Sequence, residues 1–86
     1  MKIKYEDNEY FIGWNHGMST LHKTRATTCY IKNGDRLVVE ASSVCAPEDN
    51  FSKETGRKLS LTRALRDFRK SFRKAAWEKY GMEIGF

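Results

Sequence analysis

Residues 61–76 carry a two-sided helical code that dictates how the C-terminal part of the chain must pack. Leu61, Leu65, Phe68, Phe72 and the Ala75/Ala76 pair recur at alternating spacings of three and four, which places them on one stripe of a helix. Arg63, Arg66, Lys70, Arg73 and Lys74 fall on the opposite side, with Arg69 on the flank and Trp77 projecting from the basic side. A helix that needs only a solvated outer face mixes signs, because like charges three or four apart repel. Here only Asp67 interrupts the run. The apolar stripe demands a second layer to cover it. The cationic side points to a partner with negative charge.

The bulk properties bound that reading. A chain of 86 residues makes one small domain, with roughly 60–65% of the unfolded surface buried on folding. It leaves no room for a second domain or a deep, multi-residue catalytic cleft. The net charge of +5 is unevenly spread. Residues 1–46 hold six cations against five anions, whereas residues 53–74 hold nine cations against Glu54 and Asp67 alone. Charge-driven binding therefore belongs to the C-terminal half. The N-terminus has no apolar core of a signal peptide, and no stretch approaches the roughly 20 apolar residues of a membrane span. A cytoplasmic protein with Cys29 and Cys45 reduced is the expectation.

The first half reads as antiparallel strands. Residues 2–6 and 9–14 flank Asp7-Asn8, a two-residue loop that would pair Tyr5 with Tyr10 and Ile3 with Ile12. Asn15-His16-Gly17 breaks the pattern. Residues 26–32 and 35–45 flank Asn33-Gly34, which tolerates the positive φ angles of a type I′ turn. That turn sets Lys32 opposite Asp35, Tyr30 opposite Leu37, Thr28 opposite Val39 and Ala26 opposite Ala41. Ala26, Thr28, Tyr30, Leu37, Val39 and Ala41 then form the predicted core face, leaving Arg25, Thr27, Cys29, Arg36, Val38 and Glu40 to solvent or a partner.

Pro47 ends the last strand, and Glu48, Asp49 and Asn50 supply acidic and capping groups for a helix start. Phe51, Thr55, Leu59 and Thr62 make a first stripe, rotated from the one that begins at Leu61. The change of phase predicts a bend between about Leu65 and Lys70 or two helices meeting there. No Gly or Pro forces a break, so one long bent helix also fits. Gly56 inside this helix costs about 1 kcal/mol relative to Ala, which implies close approach to the sheet or to something bound. The predicted fold is α+β: an antiparallel meander of three or four strands over 1–46, with a C-terminal helix or helix pair over 48–80 on one face. Leu61, Leu65, Phe68 and Phe72 are expected to meet Tyr30, Leu37 and Val39.

Four further constellations were weighed for chemistry. Gly56-Arg57-Lys58 could cradle a phosphate at a helix start, but the upstream glycine of a P-loop is replaced by Phe51. A glycine for helix–sheet packing beside two cations is the simpler reading. His16, His22, Cys29 and Cys45 are zinc-type ligands without the spacing of a finger or knuckle, and the hairpin register separates Cys29 from Cys45 too far for a disulfide. That register instead sets Cys45 beside His22, where a thiolate–imidazolium pair could form. Tyr5, Tyr10, Phe11 and Trp14 could offer a base-stacking sheet, although half of any alternating strand must face the core. No distinctive carboxylate pair is present. The expectation is a non-enzyme without metal or cofactor.

The run from Asp49 through Phe51, Gly56-Arg57-Lys58, Leu61 and Arg63-Ala64-Leu65, followed by Trp77-Glu78-Lys79-Tyr80, resembles a pattern in small uncharacterised bacteriophage accessory proteins. Those chains also place a strand hairpin before a D-x-F-x-x-x-x-G-R-K-x-x-L-x-R-A-L helix and a shorter helix ending near W-x-x-Y. The likeness covers residues 25–80. It implies a phage origin, an α+β fold, no catalytic residues, and the host cytoplasm as the place of action. Several small phage proteins disable a host machine by binding it, anti-CRISPR proteins among them. The leading expectation is thus an inhibitor docking a basic face, with Arg57, Lys58, Arg63, Arg66, Arg69, Lys70, Arg73, Lys74 and Trp77 as contacts, on a host protein or nucleoprotein complex. Direct DNA or RNA binding is the alternative. A homodimer burying Trp14, Trp77 and Phe86, and a small-molecule sponge or enzyme using Gly56-Arg57-Lys58, complete the set.

Overall fold

The computed structural model describes residues 1–19, 24–45 and 52–85. Strands β1 (Lys2–Tyr5), β2 (Asn8–Ser19), β3 (Thr24–Asn33) and β4 (Arg36–Val44) form one antiparallel sheet in chain order. Helices α1 (Lys53–Ala64) and α2 (Lys70–Glu83) pack on one of its faces, giving the α+β fold expected from the periodicities.

Turn chemistry sets both hairpins. Glu6 and Asp7 take φ values of 48° and 64°, the left-handed pair that a type I′ loop requires. The loop is therefore Glu6-Asp7, one residue earlier than Asp7-Asn8, and Tyr5 pairs with Asn8 and Ile3 with Tyr10. The register differs from the expected one by two residues. Because side chains alternate with a period of two, Ile3, Tyr5, Tyr10 and Ile12 still share the inner face. Strand β2 also continues through Asn15-His16-Gly17, where a break was expected. Its ladder with β3, from Tyr10–Asn33 to Ser19–Thr24, supplies the hydrogen bonds that local propensity does not.

The β3–β4 hairpin departs further. Gly34 is at φ 62°, and Asn33 pairs with Arg36 and Lys32 with Leu37. The loop is therefore Gly34-Asp35, one residue later than the expected Asn33-Gly34, and with positive φ at Gly34 alone it is not the expected type I′ turn. Next comes a bulge: Ile31 pairs with Val39, so Val38 has no opposite number. The extra residue brings Val39, Ala41 and Ser43 onto the same face as Ile31, Cys29 and Thr27. That is the buried face, with Thr27, Cys29 and Ile31 all at 0% exposure. The expected core face is thus overturned for β3. Tyr30 and Thr28 lie on the opposite side of the sheet, and Leu37 is 50% exposed.

The core joins Ile3, Ile12, Cys29 and Ile31 to Leu61, Ala64, Leu65, Phe72, Ala76 and Tyr80. Leu61 and Leu65 are inward as expected, but they meet this odd-numbered face of β3 and not Tyr30 or Leu37. Aromatic rings fill the seam under α2. Phe72 takes Tyr5 and Tyr10 edge-on at 5.2 and 5.0 Å, and Tyr80 meets Trp14 and Trp77 at 5.8 and 5.6 Å. Phe68 is only half-buried and stacks on Phe72 at 4.5 Å.

Helix α1 approaches the sheet through small residues. Its buried positions are Gly56, Ser60, Leu61 and Ala64, one residue out of phase with the Thr55, Leu59 and Thr62 stripe, all of which are exposed. A side-chain carbon at Gly56 would lie 2.9 Å from Thr27 Cβ, so only glycine permits this approach. The Ser60 hydroxyl satisfies itself by donating to the Gly56 carbonyl at 2.7 Å. Ser52 caps the helix, its Oγ accepting from the Thr55 N–H at 3.3 Å. The proposed capping residues 48–50, Pro47 and Phe51 lie outside the described residues. Between the helices the chain turns: Arg66 N–H reaches the Arg63 carbonyl at 3.3 Å, and Arg69, with ψ 151°, opens α2. Two helices meet between Leu65 and Lys70, within the expected span, although the first stripe from which the break was inferred is solvent-facing.

Candidate anion-binding site

The corner between α1 and α2 creates a groove of about 640 Å³ that neither helix could form alone. Arg63 and Arg66 line it from the end of α1 and the turn. Lys70, Arg73 and Lys74 line it from the first half of α2. Leu65 and Trp77 provide apolar surface between them, and Thr62 contributes from one turn before Arg66.

No acidic side chain among the described residues lies within ion-pair distance of these five cations. The hydrogen bonds that Arg63 and Arg73 make go to main-chain carbonyls, Ser42 at 2.7 Å and Phe68 at 3.4 Å. These bonds aim the guanidinium groups without neutralising them. Helix α2 adds its own field. Its first turn holds no acidic residue, and Lys70 and Arg73 sit at the positive end of its dipole. Cations there oppose helix stability, so this distribution is not one that folding alone would select. An anion in the groove would meet five positive side chains.

The remaining expected contacts do not join this groove. Arg69 turns toward β1 and pairs with Glu6 at 3.6 Å, beside a separate pocket lined by Tyr5, Tyr10 and Phe68. Lys58 pairs with Glu54 at 3.0 Å. Arg57 is half-buried, and its main-chain carbonyl accepts from the Trp14 indole N–H at 3.2 Å. Of nine expected positions, six converge: Arg63, Arg66, Lys70, Arg73, Lys74 and Trp77. The sequence reading missed Leu65 and Thr62. Leu65 was counted only as core, although a residue at a helix end can be covered by the sheet and still edge a groove.

The other chemistry-bearing residues lie elsewhere. His16 is on the inner face, its Nδ1 2.9 Å from the Thr27 hydroxyl. Burial lowers its pKa below 6.5, and the nearby charges of Lys53 and Arg57 lower it further. Cys29, expected on the solvent side, is buried between Trp14 and Ala41 in the ladder, and burial pushes its thiol up to about 12. His22, the partner expected for Cys45, lies outside the described residues. Trp14, expected at a dimer interface, is held by Arg57 and Tyr80 of its own chain. No helix among the described residues is long and apolar enough to cross a membrane. No protein-family model matches the chain, and no curated protein or solved structure does either.

Proposed function

We propose that this chain is a non-enzymatic binding protein that docks the α1–α2 groove on the phosphate backbone of a nucleic acid, bare or carried by a nucleoprotein machine. The observation that carries the reading is the convergence of five cations in one groove beside Trp77, with no acidic side chain among the described residues within ion-pair distance of those cations. Phosphates supply the matching charge, and Trp77 offers a ring for stacking. The likeness of residues 25–80 to phage accessory proteins supports a host machine as the target, with inhibition by occupancy as the outcome.

Salt dependence is the test. Neutralising about five phosphates gives a slope of roughly −4.5 for duplex DNA, or about a 500-fold loss of affinity between 50 and 200 mM salt. Anisotropy of a labelled duplex should show that slope. The variant Arg66→Glu/Lys70→Glu/Arg73→Glu should lose binding while keeping its melting transition. Absence of binding to bare duplex and single strand at low salt, with capture of the same host material by wild type and triple reversal, would end this reading.

A further inference from the structure

The second face of the sheet carries no helix, and its side chains are not arranged at random. Phe11 and Tyr30 sit on neighbouring strands with ring centroids 6.2 Å apart and planes tilted by 35°. Tyr30 is directly opposite Gly13, and a side chain at Gly13 would collide with the Tyr30 ring. The tyrosine therefore lies down across the glycine and turns the face of its ring away from the sheet. Lys2 and Lys32 are the cross-strand partners of Phe11 on either side. The Lys32 ammonium also stands 5.5 Å from the Tyr30 ring centre. Phe11, which packs against nothing in the core, is 38% exposed.

We propose that this open face binds single-stranded nucleic acid, with one base stacked on Phe11, the next on Tyr30, and the intervening phosphates held by Lys2 and Lys32. An exposed ring beside a half-buried one, flanked by lysines, offers what an unpaired strand needs: a π-face per base and a cation per phosphate. A duplex cannot use the rings, because its bases are already stacked inside. A second copy of the chain fits less well. A two-fold contact through this face would set Lys2, Lys4 and Lys32 of each copy against Glu9 and Glu40 of the other, three cations for two carboxylates, and so bury unmatched positive charge. Glu9 is the cross-strand partner of Lys4 and Glu40 that of Tyr30, so the phosphates are confined to the Lys2 and Lys32 side of the two rings.

The platform is separate from the helical groove, so its test is separable as well. Anisotropy is read with a labelled ten-nucleotide oligo(dT) and with a blunt duplex of equal length. Phe11→Ala should weaken the single strand by about five- to hundredfold and leave the duplex unchanged. Lys2→Glu/Lys32→Glu should do the same, and it serves should Phe11→Ala fail to melt cooperatively. In the Arg66→Glu/Lys70→Glu/Arg73→Glu background, single-strand binding should persist and remain sensitive to Phe11→Ala, even where the groove proves inert. Single-strand affinity unaltered in both sheet variants overturns the inference. So does a sedimentation mass of two chains that reverts to one on Phe11→Ala, which would make the face a dimer interface.

Discussion

Replacing Gly56 with alanine sets two effects of known size against each other. Alanine is the better helix former by about 1 kcal/mol, so on an exposed helix this change would stabilise. Here the new carbon falls 2.9 Å from Thr27 Cβ and closer still to the Thr27 hydroxyl. Thr27 cannot give way easily. It is fully buried, it sits on β3 with β2 and β4 paired on either side, and its hydroxyl is engaged by His16 at 2.9 Å. A β-branched side chain has little rotamer freedom to spare. Overpacking of this kind costs about 1–3 kcal/mol, and the rigid neighbour places it at the upper end. The net loss is about 2 kcal/mol, or a melting temperature lower by roughly 8–16 °C for a domain of this size. Thermal melts by circular dichroism give the answer directly. Gly17→Ala is the control, since a carbon there meets nothing within 4 Å. Adding Thr27→Ala should restore only part of the loss, because the residual Cβ contact remains; Thr27→Gly should restore more. A Gly56→Ala protein that melts at or above the wild-type temperature would show that α1 does not press on β3 at this point.

Phe72→Ala removes a ring that touches three other aromatics and should cost about 3–5 kcal/mol in urea unfolding; Phe68→Ala, from a half-buried corner, should cost clearly less. Lys70→Glu removes like-charge neighbours at Arg73 and Lys74 and puts an acid in the first turn of α2. It should therefore stabilise by about 1 kcal/mol while weakening duplex binding, and a lower melting temperature would contradict the charge reading. Cys29, with its thiol pushed up to about 12, should resist a thiol reagent at neutral pH until the chain is unfolded, as labelling stoichiometry with and without urea will show. His16 has a folded pKa below 6.5, so the unfolded chain takes up the proton first as pH falls. Stability should decline as pH is lowered through 6.5 and level off below the folded pKa, and His16→Asn should flatten that step in pH-dependent melts.

The parts of the fold legible in the sequence are those governed by local chemistry. The apolar stripe through Leu61, Leu65 and Phe72 and the role of Gly56 follow from spacing and side-chain size, whereas the break between the helices was expected from a Thr55–Leu59–Thr62 stripe that is exposed. The four-strand meander follows from alternation and two turn signals. The β1–β2 hairpin was misregistered, yet Ile3, Tyr5, Tyr10 and Ile12 share one face in either register because a slip of two preserves the faces. The β3–β4 hairpin was not protected in that way. Its bulge at Val38 shifts the ladder by one, and nothing in residues 35–41 marks the extra residue. The clue lay across the sheet. Once Ile12 is inward, the strand beside it must offer Ile31 and Cys29 as partners, and the even-numbered face of β3 must turn out. The candidate groove was half legible: the cations share a helical face, but which of them converge depends on the angle between two helices.

That angle is where the sequence pattern becomes a site. On one straight helix, Arg63 and Lys74 would stand about 16 Å apart along the axis, a row of charges on a convex surface. The turn at residues 66–69 bends the row back on itself, so that the end of α1 and the start of α2 present their cations to one volume. The same turn sends Arg69 to the β1 side, where Glu6 neutralises it. Bringing five like charges together raises their mutual repulsion and places two of them at the unfavourable end of α2, while the buried aromatic seam beneath Phe72 and Tyr80 holds the helix in place. A core strong enough to hold that repulsion is what lets a domain this small keep a concentrated positive field, and an anion entering the groove would offset the mutual repulsion of its cations.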